Sequence, residues 1–322
     1  MVVAEGDEDR VRLGNLGVEH VIDAAADPAR VAALIAQVVA TRREFAAVLR
    51  PSEDRPAARP PGGITTVVTG VGEPAGAVEV AVQVAVELRR RGGAVTLIDA
   101  DTAYPQLAQR LCLDGAPGLL DAVDAVTHGH ARPADALQVV ARLGVHALVG
   151  LESPRHWQRL GAADTAATVE ALRVMAHHLV ILADAACQAS GEGRNDVARA
   201  LLGAADRVIV VAAMSPAGIK AVTDWAVDAR ELCDLRRVTV VAHRRLRRAG
   251  ASEWRHELLR TVRCGDARVW PDDPRVVEAA WRGAAVRAGP WTRSVAGLVG
   301  DHLPEPEPQR APEAVAATGT RP

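Results

Sequence analysis

Three groups of residues have the types and spacing to do chemistry. The first is the turn-rich loop Gly70 to Gly76. It lies between the β-branched apolar run Ile64 to Thr69 and a stretch where Val78, Ala81, Ala85 and Leu88 recur at helical spacing. A loop that opens a helix in this way can hold an anion through backbone N–H groups and the positive end of the helix dipole. The second group is acidic. Asp99 and Asp101 close the apolar run Val95 to Ile98, and Asp184 closes Leu179 to Ala183. Carboxylates there stand at the strand ends where open α/β sheets bind ligands. The third group is the one dense basic cluster, Arg236, Arg237, Arg244, Arg245, Arg247 and Arg248. Such a patch could hold DNA phosphates without sequence preference. No aromatic residues interleave with it for base stacking, so an arginine-rich solvated loop balanced by acids elsewhere is the better reading of the two.

The elements that must position these groups can be read from periodicity. Gly92-Gly93 stops the helix after the glycine loop, so residues 64–101 read strand, loop, helix, strand, acid. That is the layout of a phosphate-binding α/β unit. Further strands are expected at Val145 to Val149, Leu179 to Ala183, Arg207 to Val211 and Val238 to Ala242. Helices alternate with them: one opened by Arg194-Asn195-Asp196, another from Met214-Ser215-Pro216 to about Leu232. The alternation predicts an α/β fold with a doubly wound, mostly parallel sheet. Upstream, Gly17 to Ile22 reads as a short strand. Asp27-Pro28 supplies an N-cap and a first-turn proline, and Val31, Leu34, Ile35, Val38, Val39, Phe45 and Val48 form one helical stripe. Pro51 to Pro61 is rich in proline and charge, and so reads as an extended linker. The expected organisation is a strand–helix unit over 1–50, a linker over 51–62, the main domain over 63–303 and a disordered tail over 304–322. Trp281 and Trp291 are expected to pack the last helices onto the sheet.

Composition narrows the class. The chain has 322 residues, 49% hydrophobic and 24% charged, with formal net charge −2. It can bury a sizeable core, and bulk charge points neither to nucleic acid nor to an acidic membrane. Aromatics are only 2%, so the core must be built from alanine, valine and leucine. The four cysteines, at 112, 187, 233 and 264, have no metal-ligand spacing and read as buried thiols in a reducing cytoplasm. His128 and His130 flank Gly129 without a third ligand, so they read as exposed loop residues and no metal site is expected. There is no basic segment followed by an apolar one at the N-terminus, and no run approaches the length of a membrane span.

The stretch 64–101 resembles the MinD/ParA family of P-loop ATPases, and more narrowly the actinobacterial CpaE-like (TadZ-like) branch linked to septum-site determination and Flp (Tad) pilus placement. The family loop reads K-G-G-x-G-K-T-T. Aligned on the following helix, this chain has Gly72-Glu73-Pro74-Ala75-Gly76-Ala77-Val78-Glu79. Gly72 stands at the signature lysine, Ala77 at the phosphate-binding lysine and Val78 at the magnesium threonine; only Gly76 is retained. No shift of register recovers a lysine, because Lys220 is the only one in the chain. Pro74 removes a backbone N–H, and Glu73 adds negative charge beside the phosphate position. Asp99 and Asp101 match the family's D-x-D after the second strand, where one acid orients water and supports the magnesium shell. On the residues alone, capping the turn Thr102 to Gln106 is the better reading of them. Asp184 stands at the Walker B acid, followed by Ala185-Ala186-Cys187 in place of a proline turn. The segments Leu107 to Leu111 and Gly118 to Val123 resemble "LAQRLGL…PGLLDAV" of the branch, and Val269-Trp270-Pro271-Asp272-Asp273-Pro274 resembles its "V-P-x-D-P". Where the family reads adenine with an asparagine, this chain has His243, which could stack on a base but cannot present a paired amide donor and acceptor; a surface histidine at a strand end is the better reading of it.

The resemblance spans about residues 64–302. It implies a MinD/ParA-type P-loop domain, preceded by a short strand–helix unit similar to the last unit of a receiver; the bland alternative for that unit is an appendage that docks on the main domain. It also implies a catalytically degenerate localisation or scaffold factor of the division or pilus machinery, cytoplasmic, recruited to pole or septum through other proteins, and able to form a homodimer. No cofactor is expected with these loop residues, although Mg-ATP is what an intact pocket of this kind would take. Two rival readings are an atypical ATPase of the same family and a DNA-binding partitioning protein, the DNA reading being the less favoured. The tail lacks the apolar stripe of MinD's membrane-binding helix, so direct membrane insertion is not expected.

Overall fold

The computed structural model describes residues 2–4, 21–23, 27, 31–32, 62–72, 76–129, 131–191, 193–243 and 250–302. The chain divides into two compact units, residues 1–50 and 51–322. In the first, β1 (Val2–Ala4) pairs in parallel with β2 (Val21–Asp23). The sequence reading placed only the second of these strands. Val31 donates its N–H to the Asp27 carbonyl at 3.1 Å, so a helix turn opens where the Asp-Pro signal placed it. The rest of that expected helix, the linker 51–61 and the tail from 303 lie outside the described residues.

The second unit follows the alternation read from the sequence. Its strands are β3 (Ile64–Gly70), β4 (Val95–Ala100), β5 (Gln138–Val140), β6 (Val145–Leu148), β7 (His178–Ala183), β8 (Arg207–Ala213), β9 (Val238–His243) and β10 (Asp266–Val269). Between and after them run α1 (Ala77–Arg90), α2 (Leu107–Arg110), α3 (Leu119–His128), α4 (Ala162–Arg173), α5 (Asp196–Ala204), α6 (Pro216–Ala229), α7 (Ala251–Val262), α8 (Arg275–Trp281) and α9 (Pro290–His302). Among the described residues the sheet has eight strands in the order β10-β9-β8-β3-β7-β4-β6-β5. All neighbours are parallel except β5, which pairs antiparallel with β6 at the edge. From β3 the chain steps over the gap that β7 later fills, lays down β4 and β6, returns to β7, and then crosses to β8 on the other side of β3. The C-terminal end of β3 is therefore the switch point of the sheet, where ligands bind in such folds.

Parallel strands of this kind are buried on both faces, and β4 and β7 are buried at every position. One face is covered by α3 to α7, packing Leu119, Leu172, Leu201, Val222 and Leu258 onto Val67, Ile98 and Ile181. The other is covered by α1, α2 and α9, packing Val80, Val84, Leu107 and Val295 onto Val68, Leu97 and Val180. With so few aromatics, this second core holds an aromatic pair at the end of β10: Trp270 and Trp291 stack edge to face with centroids 5.0 Å apart. Trp291 thus anchors α9 to the sheet as expected. Trp281 does not anchor α8. It is 86% exposed, and Val277 one turn before it is 62% exposed, because α8 turns the partly buried Val276 and Ala279 to the core instead. Cys187 and Cys264 are buried, but Cys233 is only partly so and Cys112 is exposed, contrary to the expectation for all four. Burial raises the Cys187 thiol to about 12.

The loop between α8 and α9 is fixed by polar residues from α1 and its neighbours. Gln83 exchanges two hydrogen bonds of 3.1 Å with the backbone of Val286. Arg110 donates to the Ala284 carbonyl at 2.7 Å, and Arg142 to that of Gly283 at 2.6 Å. Arg91, itself held by Glu87, donates to the Ala296 carbonyl at 2.7 Å. Glu79, Gln83 and Glu87 are spaced by four, so α1 turns one polar stripe toward the C-terminal segment.

The two tryptophans should respond differently to truncation. Trp270→Ala should lower stability to urea by about 3–5 kcal/mol, as a large cavity in a packed core does. Trp281→Ala should change it by less than about 0.5 kcal/mol. Similar losses in both would refute the assignment of Trp281 to solvent.

Candidate functional site at the carboxyl end of the sheet

Gly70 ends β3, and Val71 continues the ladder by donating to the Val211 carbonyl at 2.9 Å. Gly72 then takes the left-handed region at φ 78°, and a Cβ there would lie 3.2 Å from Cβ of Ala221 on α6. Both facts favour glycine at the position of the signature lysine. Glu73 and Pro74 lie outside the described residues. Gly76, also left-handed at φ 68°, is the N-cap of α1 and supplies no side-chain cap. Its carbonyl accepts from Glu79 and Val80 at 3.1 Å each.

The first turn of α1 is put to structural use. Ala77 and Val78 are partly buried and pack against the core beneath. Glu79, at the second threonine of the family motif, forms a two-pronged ion pair with Arg110 of α2 at 2.6 and 2.8 Å. The Arg110 side chain is only 6% exposed. A planar guanidinium meeting a carboxylate through two parallel bonds is a strong, geometrically selective contact. Here it ties the helix after the glycine loop to the helix after the acidic turn. The negative charge at the helix start is thus an internal one.

The three acids sit in this region but differ in environment. Asp99 is buried and accepts three backbone N–H groups, from Asp101 at 3.1 Å and from Gln106 and Leu107 at 2.8 Å each. It therefore closes the turn and caps α2. Burial raises its carboxyl to about 6, against the pull of those N–H groups. Asp101 accepts from Ala103 and Tyr104 at 2.9 and 2.8 Å. Burial also raises its pKa, and the nearby Asp184 carboxylate adds to the rise. Asp184 accepts from Ala186 at 2.9 Å. Asp101 and Asp184 thus come together at the ends of β4 and β7, while Asp99 is turned into the structure. Among the described residues no group of three or more His, Cys, Asp or Glu could hold a metal.

The remaining sequence candidates are spread out. His243 ends β9, and Arg244, Arg245, Arg247 and Arg248, which follow it, lie outside the described residues. Arg236 and Arg237 precede β9, so the six residues of that strand, about 3.3 Å each, separate them from the site. His128 lies at the end of α3 with Nδ1 3.0 Å from the Asp124 carbonyl oxygen, and His130 lies outside the described residues. Sequence reasoning missed Glu79 and Arg110. The arginine carried no signal beyond its place in the Leu107 to Leu111 segment, since its partner is 31 residues away.

No protein-family model and no curated protein matches the chain in sequence. The architecture does have relatives among solved structures. A ParA family ATPase from Chlorobium tepidum superposes with a TM-score of 0.63 at 11% identity, covering 74% of this chain and 98% of the other. MinD, a cell division protein of Aquifex aeolicus, gives 0.58 at 17%, covering 75% and 99%. An ATP complex of a McdA variant from Cyanothece gives 0.57 at 16%, covering 75% and 98%. The chain has the ParA/MinD fold. In this fold the glycine loop after β3 sits at the switch point described above.

The Asp99 environment makes a testable pH dependence. Its folded value, about 6, lies above the ordinary aspartate value. The folded state therefore holds the proton more tightly. The stabilising contribution is full below about pH 4 and is lost as pH rises through 6. Asp99→Asn does not titrate. The stability of the natural protein relative to this variant should fall by about 2 kcal/mol between pH 4 and pH 7, measured by urea unfolding at each pH. A difference that does not vary with pH would refute the buried, proton-holding carboxyl.

Proposed function

We propose that this protein is a ParA/MinD-fold localisation or scaffold factor whose nucleotide chemistry is lost, acting in septum-site determination or Flp (Tad) pilus assembly through contacts with other proteins. The observation that carries this reading is the first turn of α1. A P-loop needs one ammonium on the phosphates and one hydroxyl on Mg²⁺. Ala77 and Val78 offer neither and are committed to packing, and Glu79 is locked to Arg110. The residues present therefore do not fit Mg-ATP. The backbone at Gly72 also disfavours a lysine that would reach a partner's phosphate. Support for the division and positioning role comes from the neighbours: one solved structure with this fold is a MinC:MinD cell division protein complex.

On this reading purified protein shows no ATP turnover above background. ATP also leaves association unchanged, because a ligand shifts an equilibrium only by its differential affinity for the two states. Sedimentation with and without Mg-ATP should give one mass distribution. Hydrolysis abolished by Asp101→Ala, or an ATP-dependent shift from monomer to dimer, would overturn the reading in favour of an atypical ATPase.

A second test is repair. Glu73→Gly, Pro74→Gly, Ala77→Lys and Val78→Thr together should recover measurable Mg-ATP binding by calorimetry. A folded variant with no gain would refute the assignment of the loop register.

A further inference from the structure

The end of the sheet opposite the glycine loop carries a feature that the reading above does not use. There, a cavity of about 650 Å³ is lined by Arg230, Arg236, Arg260 and Arg263 around Cys233, Leu235 and Val262, with Asp234 as the acid in its wall. Arg230 caps the end of α6 and Arg263 the end of α7, so two helices deliver their last residues to one rim. Arg237, beside the rim on the turn before β9, is exposed as well.

The charges of this bowl are only partly answered within the chain. Arg236 pairs with Asp234 at 3.0 Å and Arg260 with Glu257 at 2.6 Å. Arg237 shares the Asp234 carboxylate with Arg236 through space, without a hydrogen bond of its own, and among the described residues Arg230 and Arg263 have no side-chain hydrogen bond or ion pair. Neither Arg230 nor Arg263 folds back onto the carbonyls that end its helix, which is how basic residues at a helix C-terminus usually find a partner. In a chain whose net charge is −2, this is a local concentration of unpaired positive charge. Its guanidinium groups repel one another and gain from a shared anion. Leu235 and Val262 give the same bowl an apolar floor.

We propose that this bowl is a docking site for an acidic segment of a partner protein, one that sets carboxylates on the Arg230, Arg237 and Arg263 guanidinium groups and an apolar side chain on Leu235 and Val262. Charge complementarity selects the anion, and guanidinium matches carboxylate in paired geometry. Shape selects a peptide over duplex DNA. The cavity has the size that takes a few side chains, whereas a duplex, stiff over about 150 base pairs, meets only the rim. The site lies at the opposite end of the strands from the glycine loop, so it is independent of whether that loop binds nucleotide. A scaffold with partners at both ends could bridge them.

The test uses the full chain and a fluorescein-labelled peptide of glutamate residues around a central leucine, with a glutamine version and a labelled DNA duplex as controls, followed by anisotropy at low salt. Binding of the glutamate peptide should weaken about tenfold or more in the Arg230→Glu/Arg263→Glu variant, and fall with added salt as exposed charge pairs do. A neutral pair, Arg230→Ala/Arg263→Asn, should give an intermediate loss. Asparagine tolerates the left-handed backbone at 263, so this pair keeps the test valid if charge reversal disturbs the fold. The glutamine peptide should not bind, and the duplex should not compete. The proposal is overturned if the glutamate peptide does not bind, if the glutamine peptide binds equally, if both variants bind as the natural protein does, or if the duplex displaces the peptide. Because none of these readouts involves ATP, their failure and the failure of the degenerate-loop reading are told apart.

Discussion

A parallel sheet cannot leave either face wet, and the rest of this structure follows from that constraint. The strands β3, β4, β7, β8 and β9 are nearly continuous apolar runs because helices press on them from both sides. Polar chemistry is thereby expelled to the strand ends. At the carboxyl end stand the glycine loop, Asp101 and Asp184. At the amino end stand the exposed arginines around β9. The sheet interior offers mainly alanine, valine, leucine, isoleucine and threonine to pack, and with few aromatics the helices must approach closely. At two points the chain relies on something larger or more polar: the Trp270–Trp291 pair at the end of β10, and the polar stripe of α1 that holds residues 284–296.

Much of the fold is legible in the sequence because both of its signals are local. Apolar runs such as Leu179 to Ala183 announce buried strands, and Ser215-Pro216 announces the start of α6 through a cap that the structure contains, Ser215 accepting from Gly218 at 3.0 Å. The elements that escaped lack those signals. β5 has three residues, and only one of them is buried. β10 reads Asp-Ala-Arg-Val, its Asp266 answered by Arg255 and His302 and its Arg268 by Asp301 from elsewhere in the chain. Trp281 was misplaced because a tryptophan on a short helix near the sheet resembles an anchor, while periodicity could not say which face of α8 looks inward.

At the candidate site the sequence states which groups are missing, and the structure states what the remaining ones do instead. Absence of a lysine and a threonine is visible in the letters. That Ala77 and Val78 are packed, that Asp99 spends its oxygens on three backbone N–H groups, and that Glu79 meets Arg110 are facts of three-dimensional placement. Asp99 illustrates the difference. Its family position suggests work on water or metal. Its burial and its bonds to Asp101, Gln106 and Leu107 make it the brace of the turn that delivers α2, and α2 in turn delivers Arg110.

The Glu79–Arg110 pair also bears on the order in which such a loop can change. Removing one partner from a buried ion pair costs about 3–5 kcal/mol, because the other is left charged and unanswered. A change of Glu79 to threonine would therefore strand Arg110 before any gain in phosphate binding could be felt, and a change at Arg110 alone would strand Glu79. The pair works as a ratchet. A loop with threonine at this position is thus separated from the present one by an intermediate less stable than either end.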